Sequence, residues 1–323
     1  MNRELYEMMD AMNAFRQARR RAVVSEILSK ITGTEKDLLP FEDVRKTLRA
    51  QGILERGLQE IPLEAIVGSV NRYEDFTRDF LPRRNINPNR WAKVEILANG
   101  MAGLPPIDVY QVGKAYFVID GNHRVSVARQ LGAKTIQAYV REVPTYVELT
   151  PQDTLEDVLQ KGEYASFLEK TGLKRLRPGI DLRLTEPGQY CLLEDHISVH
   201  RYYMGIDQKR PISEAEAASH WYDTVYLPVV EVIRNKGLQR EFPDRTEADL
   251  YLWIAEHRAD LEEELQKPLD SSRVAEDLVQ SYSRRPERAF TRLGERLKDV
   301  ILPPTLEPGP APGAWRREKL SSQ

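Results

Sequence analysis

The stretch FVIDGNHRVSVARQLG, residues 117–132, holds the side chains best suited to chemistry. An apolar strand pattern ends in Asp120, Gly121 permits a tight turn, and a helical pattern begins two or three residues later. Such a junction presents unpaired backbone N–H groups and the positive end of a helix dipole to one point. Its natural occupant is a phosphate. Gly121 lets the backbone approach an anion closely, and His123 and Arg124 stand where they would donate to phosphate oxygens. Asp120 is placed to hold Mg²⁺ or to orient an attacking hydroxyl. Plainer readings stand beside these: Asp120 as a helix cap, His123 as a solvent-facing turn residue, Arg124 in a surface ion pair. Two donors able to carry positive charge beside one glycine are nonetheless more than a plain turn requires.

The elements that must position this junction follow from periodicity. Two strands are predicted at Ile107–Gln111 and Ala115–Ile119, joined by a turn at Val112–Lys114. A helix over 124–131 turns Val125, Ala128 and Leu131 inward and is capped by Gly132. Another strand covers Thr135–Val143. Upstream, IPLEAIVGS reads as a short strand and turn. A polar, proline-punctuated insert then runs to INPNRW, and WAKVEILANG as a helix closed by Gly100. Residues 61–150 therefore form a compact α+β unit.

Residues 1–60 read as a helical arm without a strand. One helix over 4–31 carries Leu5, Met8, Met9, Met12, Phe15, Ala18, Ala22, Val23, Ile27 and Leu28 as its apolar set, with Gly33 as its stop. A second helix is expected over 41–50. Residues 151–302 read as a mainly α-helical domain. Ser213 and Glu216 make a capping box, Pro228 must kink or split the helix that follows, and Thr246 caps a helix with an apolar stripe of Leu250, Trp253, Ile254, His257 and Leu261. At least one more helix is expected within 272–301. The proline-rich 303–323 has no apolar periodicity and is expected to be a disordered tail.

Composition limits the classes of function. The 323 residues hold one cysteine, Cys191, so a disulfide framework and a multi-thiolate metal site within one chain are excluded. No stretch approaches the roughly 18 apolar residues of a membrane span, and the first residues lack a signal-peptide pattern. A cytoplasmic, soluble protein with no membrane partner is expected. Net charge is −3, and residues 151–323 carry 25 basic against 31 acidic side chains. A non-specific grip on duplex DNA calls for a strong basic field, so nucleic acid is not favoured as the main partner. The one basic cluster, Arg16, Arg19, Arg20 and Arg21, fits a solvated helix flank better than a polyanion contact.

Weaker candidates have structural readings. His196 and His200 share one helical face at i,i+4, but Ile197 stands where a metalloprotease motif needs glutamate, so buried, hydrogen-bonded histidines are expected rather than a metal pair. His257 lies on an apolar stripe and reads as structural. Arg245 could reach a nucleotide, but an ion pair with a neighbouring helix is favoured. Trp221, Tyr222, Tyr226 and Trp253 read as packing between helices.

On IPLEAI, LPPIDVYQVGKAYFVIDG and NHRVSVARQLGA, the segment from Ile61 to about Val143 resembles the ParB/sulfiredoxin-like fold. The equivalent turn of ParB-type proteins resembles G-E-R-R and binds nucleotide phosphates; its positions fall on Gly121, Asn122, His123 and Arg124. The sulfiredoxin turn resembles G-G-C-H-R, and Asn122 occupies the place of its reactive cysteine, so that chemistry should be absent. D-G-N-H-R is similar to D-G-H-H-R of archaeal free-serine kinases of this fold. That resemblance implies roles for Asp120, His123 and Arg124, with Glu74 or Asp75 as candidate general base. The whole chain, over about 15–300, is similar to bacterial proteins that join such a domain to a helical region carrying phrases like HWYDTVYLPVVEVI and FPDRTEADLYLWIAEHR.

The resulting expectation is binding of ATP or another nucleoside polyphosphate with Mg²⁺, and phosphoryl transfer to a small hydroxyl substrate or water. In that scheme His123 and Arg124 neutralise developing charge, Asp120 places the metal, and Phe76 and Phe80 wall the pocket from water. The alternative is a nucleotide-gated, ParB-like switch without a dedicated base, acting as a homodimer or on DNA or protein and using the N-terminal arginines as a grip. A DNA nuclease ranks third, because no dense carboxylate cluster supports a two-metal site.

Overall fold

The computed structural model describes residues 2–32, 37–100, 103–265 and 267–282. Elements in chain order are α1 (Asn2–Thr32), β1 (Leu39–Pro40), α2 (Phe41–Thr47), β2 (Leu54–Pro62), β3 (Ile66–Ser69), α3 (Pro88–Ala98), β4 (Ile107–Val112), β5 (Ala115–Asp120), α4 (Asn122–Gln130) and β6 (Thr135–Glu142). Helices follow: α5 (Leu155–Thr171), α6 (Leu173–Leu176), α7 (Tyr190–Gln208), α8 (Glu214–Trp221), α9 (Leu227–Asn235), α10 (Leu238–Glu241), α11 (Glu247–Leu265) and α12 (Ser271–Tyr282). The chain divides into two compact units, Met1–Ser166 and Phe167–Gln323. The first is α+β and the second helical, as the sequence implies. The expected stop at Gly33, the part of 272–301 after Tyr282, and the tail 303–323 lie outside the described residues.

The first unit is built on a six-stranded mixed sheet of order β1-β3-β5-β4-β6-β2. β3 and β5 run parallel, as do β4 and β6, while β4 and β5 form an antiparallel hairpin. Alternation sets the two faces. Ile107, Val109, Val118, Ile136, Ala138 and Val140 face a core shared with Trp91, Phe76, Phe80 and Val125. Val112, Ala115 and Phe117 face the other way, onto Phe41, Val44 and Leu48 around α2. The Phe41 ring stacks on Tyr110 with centroids 4.4 Å apart.

Two features depart from the sequence reading. First, the sheet begins before residue 61: β2 pairs antiparallel with β6 from Leu54 to Pro62, and β1 adds a short strand beside β3. The segment LERGLQE has no alternation because nearly all of β2 is solvent-exposed on both sides; its hydrogen bonds to β6, rather than burial, make it a strand. Second, α1 buries only its middle. Ala11, Phe15, Ala18 and Ala22 are buried, and Phe15 packs on Trp91 with centroids 5.6 Å apart. Leu5, Met9, Val23, Ile27 and Leu28 are exposed.

In the helical unit, Trp221, Tyr226 and Tyr251 form a buried aromatic cluster, with Tyr226 and Tyr251 centroids 5.0 Å apart. The helical run around Pro228 is divided into α8 and α9. A π-helical turn over Tyr222–Tyr226 lies between them, and the proline falls in the first turn of α9, where an absent N–H costs little. Ser213 Oγ accepts from Glu216 N at 3.2 Å, but the Glu216 carboxylate binds Arg210 instead of closing the box. Thr246 does close one: Thr246 N donates to Asp249 Oδ2 at 2.8 Å and Asp249 N to Thr246 Oγ1 at 3.1 Å. No described helix is long and apolar enough to cross a membrane.

Candidate functional site

Because β3 and β5 are parallel neighbours, the residues after both strands emerge at one sheet edge. The link is tight, since Val70 N donates to Val118 O at 2.9 Å and Ser69 Oγ to the same carbonyl at 3.2 Å. The polypeptide after β3 therefore lies beside the 120–124 junction. Gly121 has φ of 119°, and a Cβ there would fall 2.4 Å from Ile107 Cγ2. Only glycine makes this passage from strand to helix. Helix α4 starts at Asn122 with no side-chain cap, and Val125 N closes its first turn on Gly121 O at 2.9 Å.

Asp120 does not cap the helix. Its exposed carboxylate pairs with the Arg124 guanidinium one turn later, and Arg124 also donates to the carbonyls of Pro105, at 3.2 Å, and Pro106. Arg124 thus ties the entry of β4 to the junction and neutralises Asp120. For Mg²⁺ the junction itself provides one carboxylate, already paired. Among the described residues no group of three or more His, Cys, Asp or Glu could hold a metal ion. The donor set does not make a protein-built cation site, and no step is assigned to a metal.

His123 does not face solvent. It is 7% exposed, the Phe76 ring meets it edge-on at 5.6 Å, and neither ring nitrogen has a partner. Burial, with Arg90 and Arg72 adding positive potential, pushes its pKa down to about 4. The imidazole is therefore neutral near pH 7, with one donor and one acceptor to offer. Asn122 is equally buried, and its Oδ1 also lacks a partner. Buried polar atoms are almost always hydrogen-bonded, so three orphans at one helix N-terminus call for an explanation.

The candidate bases are placed differently from each other. The Asp75 carboxylate is held by Arg72 at 3.4 Å, whereas Glu74 is exposed and its carbonyl accepts from Arg83. Phe76 and Phe80 are both fully buried, Phe76 against His123 and Phe80 beneath Arg129. Sequence reasoning missed Arg72 and Arg90, the cations nearest in effect to His123, because nothing local distinguishes them from other surface arginines. It also missed two supports of α4. Trp91 Nε1 donates to Ser126 Oγ at 2.9 Å. Arg129 donates to the carbonyls of Leu63 at 2.6 Å, Ile66 at 2.9 Å and Arg78 at 3.1 Å, fastening β3 and the insert to the helix.

The weaker candidates resolve as structural. His196 Nδ1 bonds to Tyr251 Oη at 2.9 Å, and His200 Nε2 to His220 Nδ1 at 2.8 Å, so the i,i+4 pair does not converge on a metal. His257 bonds Asp277 at 2.7 Å. Arg245 pairs with Glu186 and lies over Trp253, 4.9 Å from the ring centroid.

Residues 58–151 match the family model of the ParB N-terminal domain, less than a third of the chain. Among solved structures, the chain is similar to sulfiredoxin from Arabidopsis thaliana, with 25% identity over 27% of this chain and 86% of that one and a TM-score of 0.22. It is also similar to the C-terminally truncated chromosome-partitioning protein ParB from Caulobacter crescentus complexed with CTP-γ-S, with 17% identity over 69% of this chain and 99% of that one and a TM-score of 0.21. No curated protein matches. Residues 58–151 are thus similar to the ParB N-terminal domain, and a helical region follows them.

Proposed function

We propose that this protein is a nucleotide-gated binding switch, in which a nucleoside polyphosphate docks on the N-terminus of α4 and controls association with a second copy or another partner. The observation that carries this reading is the set of unpartnered buried atoms, Asn122 Oδ1 and His123 Nδ1 and Nε2, at an uncapped helix start. The backbone N–H groups of Asn122, His123 and Arg124 take the phosphate oxygens. Arg72 and Arg90 supply positive potential. Arg124, by neutralising Asp120, removes the charge that would repel the ligand.

Phosphate oxygens alone cannot satisfy the orphans, because Asn122 Oδ1 and one nitrogen of neutral His123 are acceptors. The ligand must also bring N–H or O–H donors, as a nucleoside's hydroxyl and amino groups do. Phosphoryl transfer is the less supported reading: Asp75 is engaged by Arg72, and Asp120 by Arg124. Of the two candidate bases, that leaves only Glu74, which is exposed rather than enclosed in a pocket.

Calorimetry with ATP, CTP, GTP and pyrophosphate, each with and without Mg²⁺, tests the proposal. At least one nucleoside triphosphate binds at least tenfold more tightly than pyrophosphate, His123→Ala weakens it tenfold or more, and steady turnover is absent. Failure of every nucleotide to bind overturns the reading. Turnover that Asp75→Asn abolishes while binding persists transfers the site to phosphoryl transfer.

A further inference from the structure

Helix α1 carries two apolar stripes, and the first unit uses only one. At about 100° per residue, the buried Ala11, Phe15, Ala18 and Ala22 share one side of the helix. Leu5, Tyr6 and Met9 near its start, and Val23, Val24, Ile27 and Ile31 near its end, fall on the opposite side and are exposed, Ile31 by 75%. The two groups repeat each other: Leu5, Tyr6 and Met9 recur in angle at Val23, Val24 and Ile27, 18 residues or five full turns later, about 27 Å along the axis. Between them, on the same side, stand Asn13, Arg16, Gln17 and Arg20. Arg16 and Arg20 are exposed, and among the described residues Arg16 bonds to its neighbour Asn13 at 3.2 Å.

An exposed apolar stripe of this extent is rare on a surface that meets only water. Its chemistry selects the occupant. A second copy laid antiparallel along the full stripe would bring Arg16 and Arg20 of both helices together, four like charges at the centre. A second copy overlapping only Val23–Ile31 avoids this but covers on the order of 400 Å² per copy, about half of the ~800 Å² per partner typical of a stable interface. Duplex nucleic acid would use the arginines and leave the apolar groups wet.

We propose that the outer face of α1 docks an amphipathic helix of another protein, apolar at both ends and bearing carboxylates at its centre opposite Arg16 and Arg20. The apolar ends supply the affinity, and the central charges set register and select against self-pairing. The interaction does not depend on the nucleotide site.

Fluorescence anisotropy on the full chain tests this with a labelled synthetic helix of about 30 residues, leucines on one face at both ends and glutamates between them. A second peptide is identical except for lysines at the centre. The glutamate peptide binds at least tenfold more tightly than the lysine peptide. Ile27→Asp abolishes the difference by removing affinity for both, with an unchanged circular dichroism spectrum because the site is exposed. Arg16→Glu with Arg20→Glu reverses the preference. Equal binding of the two peptides, or binding of neither, overturns the proposal. So does a concentration-dependent dimer in sedimentation that Ile27→Asp dissolves, which assigns the face to a second copy. Duplex DNA binding that is steep in salt and lost with the arginines assigns it to nucleic acid.

Discussion

The start of α4 in the first unit and the start of α11 in the second treat buried polar groups in opposite ways. At α11, Asp249 is completely buried and fully employed, accepting from Thr246 N at 2.8 Å and from Thr185 N at 2.9 Å. At α4 the cap position is a bare glycine, and Asn122 and His123 are buried with polar atoms unpaired. Both helices obey the same rule, that the first N–H groups need partners. One finds them within the chain; the other leaves Asn122 Oδ1 and both His123 ring nitrogens unpaired, which is the opening on which the proposed switch rests. The contrast also separates the histidines. His196 and His257 are bonded to Tyr251 and Asp277, whereas His123 has no partner on either nitrogen.

The largest effect should come from Gly121→Ala, which forces a side chain into φ of 119° and against Ile107. A loss of about 4 kcal/mol is expected from strain and clash together, read by urea denaturation, with nucleotide binding lost as well. Gly172→Ala, where a Cβ meets nothing closer than 3.8 Å, should cost about 1 kcal/mol through its positive φ alone. Asp249→Ala should cost about 2 kcal/mol by removing the acceptor of three part-buried donors, Thr185 N, Thr246 N and Thr246 Oγ1, and leave nucleotide affinity intact. If it weakens nucleotide binding as much as His123→Ala does, the division between a paired and an unpaired helix start fails.

Acid offers a milder test. His123 is held near pKa 4 in the folded chain against its ordinary 6.5. The unfolded chain therefore takes up the proton first. The associated stability is whole above pH 6.5 and lost as pH falls toward 4, on the order of 2 kcal/mol after allowance for partial solvation. His196, also lowered by burial, adds a loss of the same sign. Comparing Tm between pH 7 and 5 for the wild type and His123→Gln isolates the first share. An equally steep slope in the variant would show that His123 is not the buried neutral group described. Ser126→Ala should cost about 1–2 kcal/mol by stranding the buried Trp91 Nε1–H, with a matching drop in Tm.

Much of the candidate junction was legible. Alternation in IDVYQV and AYFVID, the glycine at 121 and the period of Val125 and Ala128 place β4, β5 and α4 within about two residues of their observed bounds. These signals are local, set by which side of a strand or helix is wet. What was illegible had no local cause. β2 shows no alternation because neither side of it is covered, and α1 reads as one stripe because periodicity counts apolar residues without knowing which of them a partner covers.

The same division runs through the site. The sequence by itself determined that a strand hands over to a helix at a glycine, with a histidine and an arginine in the first turn, because backbone sterics and helix geometry act over a few residues. Only the tertiary structure decided what those side chains are for. Arg124 turned to Asp120 and the Pro105–Pro106 carbonyls, and His123 was stripped of water by Phe76 under the potential of Arg72 and Arg90, residues 33 to 51 positions away in the chain. Desolvation and charge act through space, and the distances they depend on exist only once the sheet has closed.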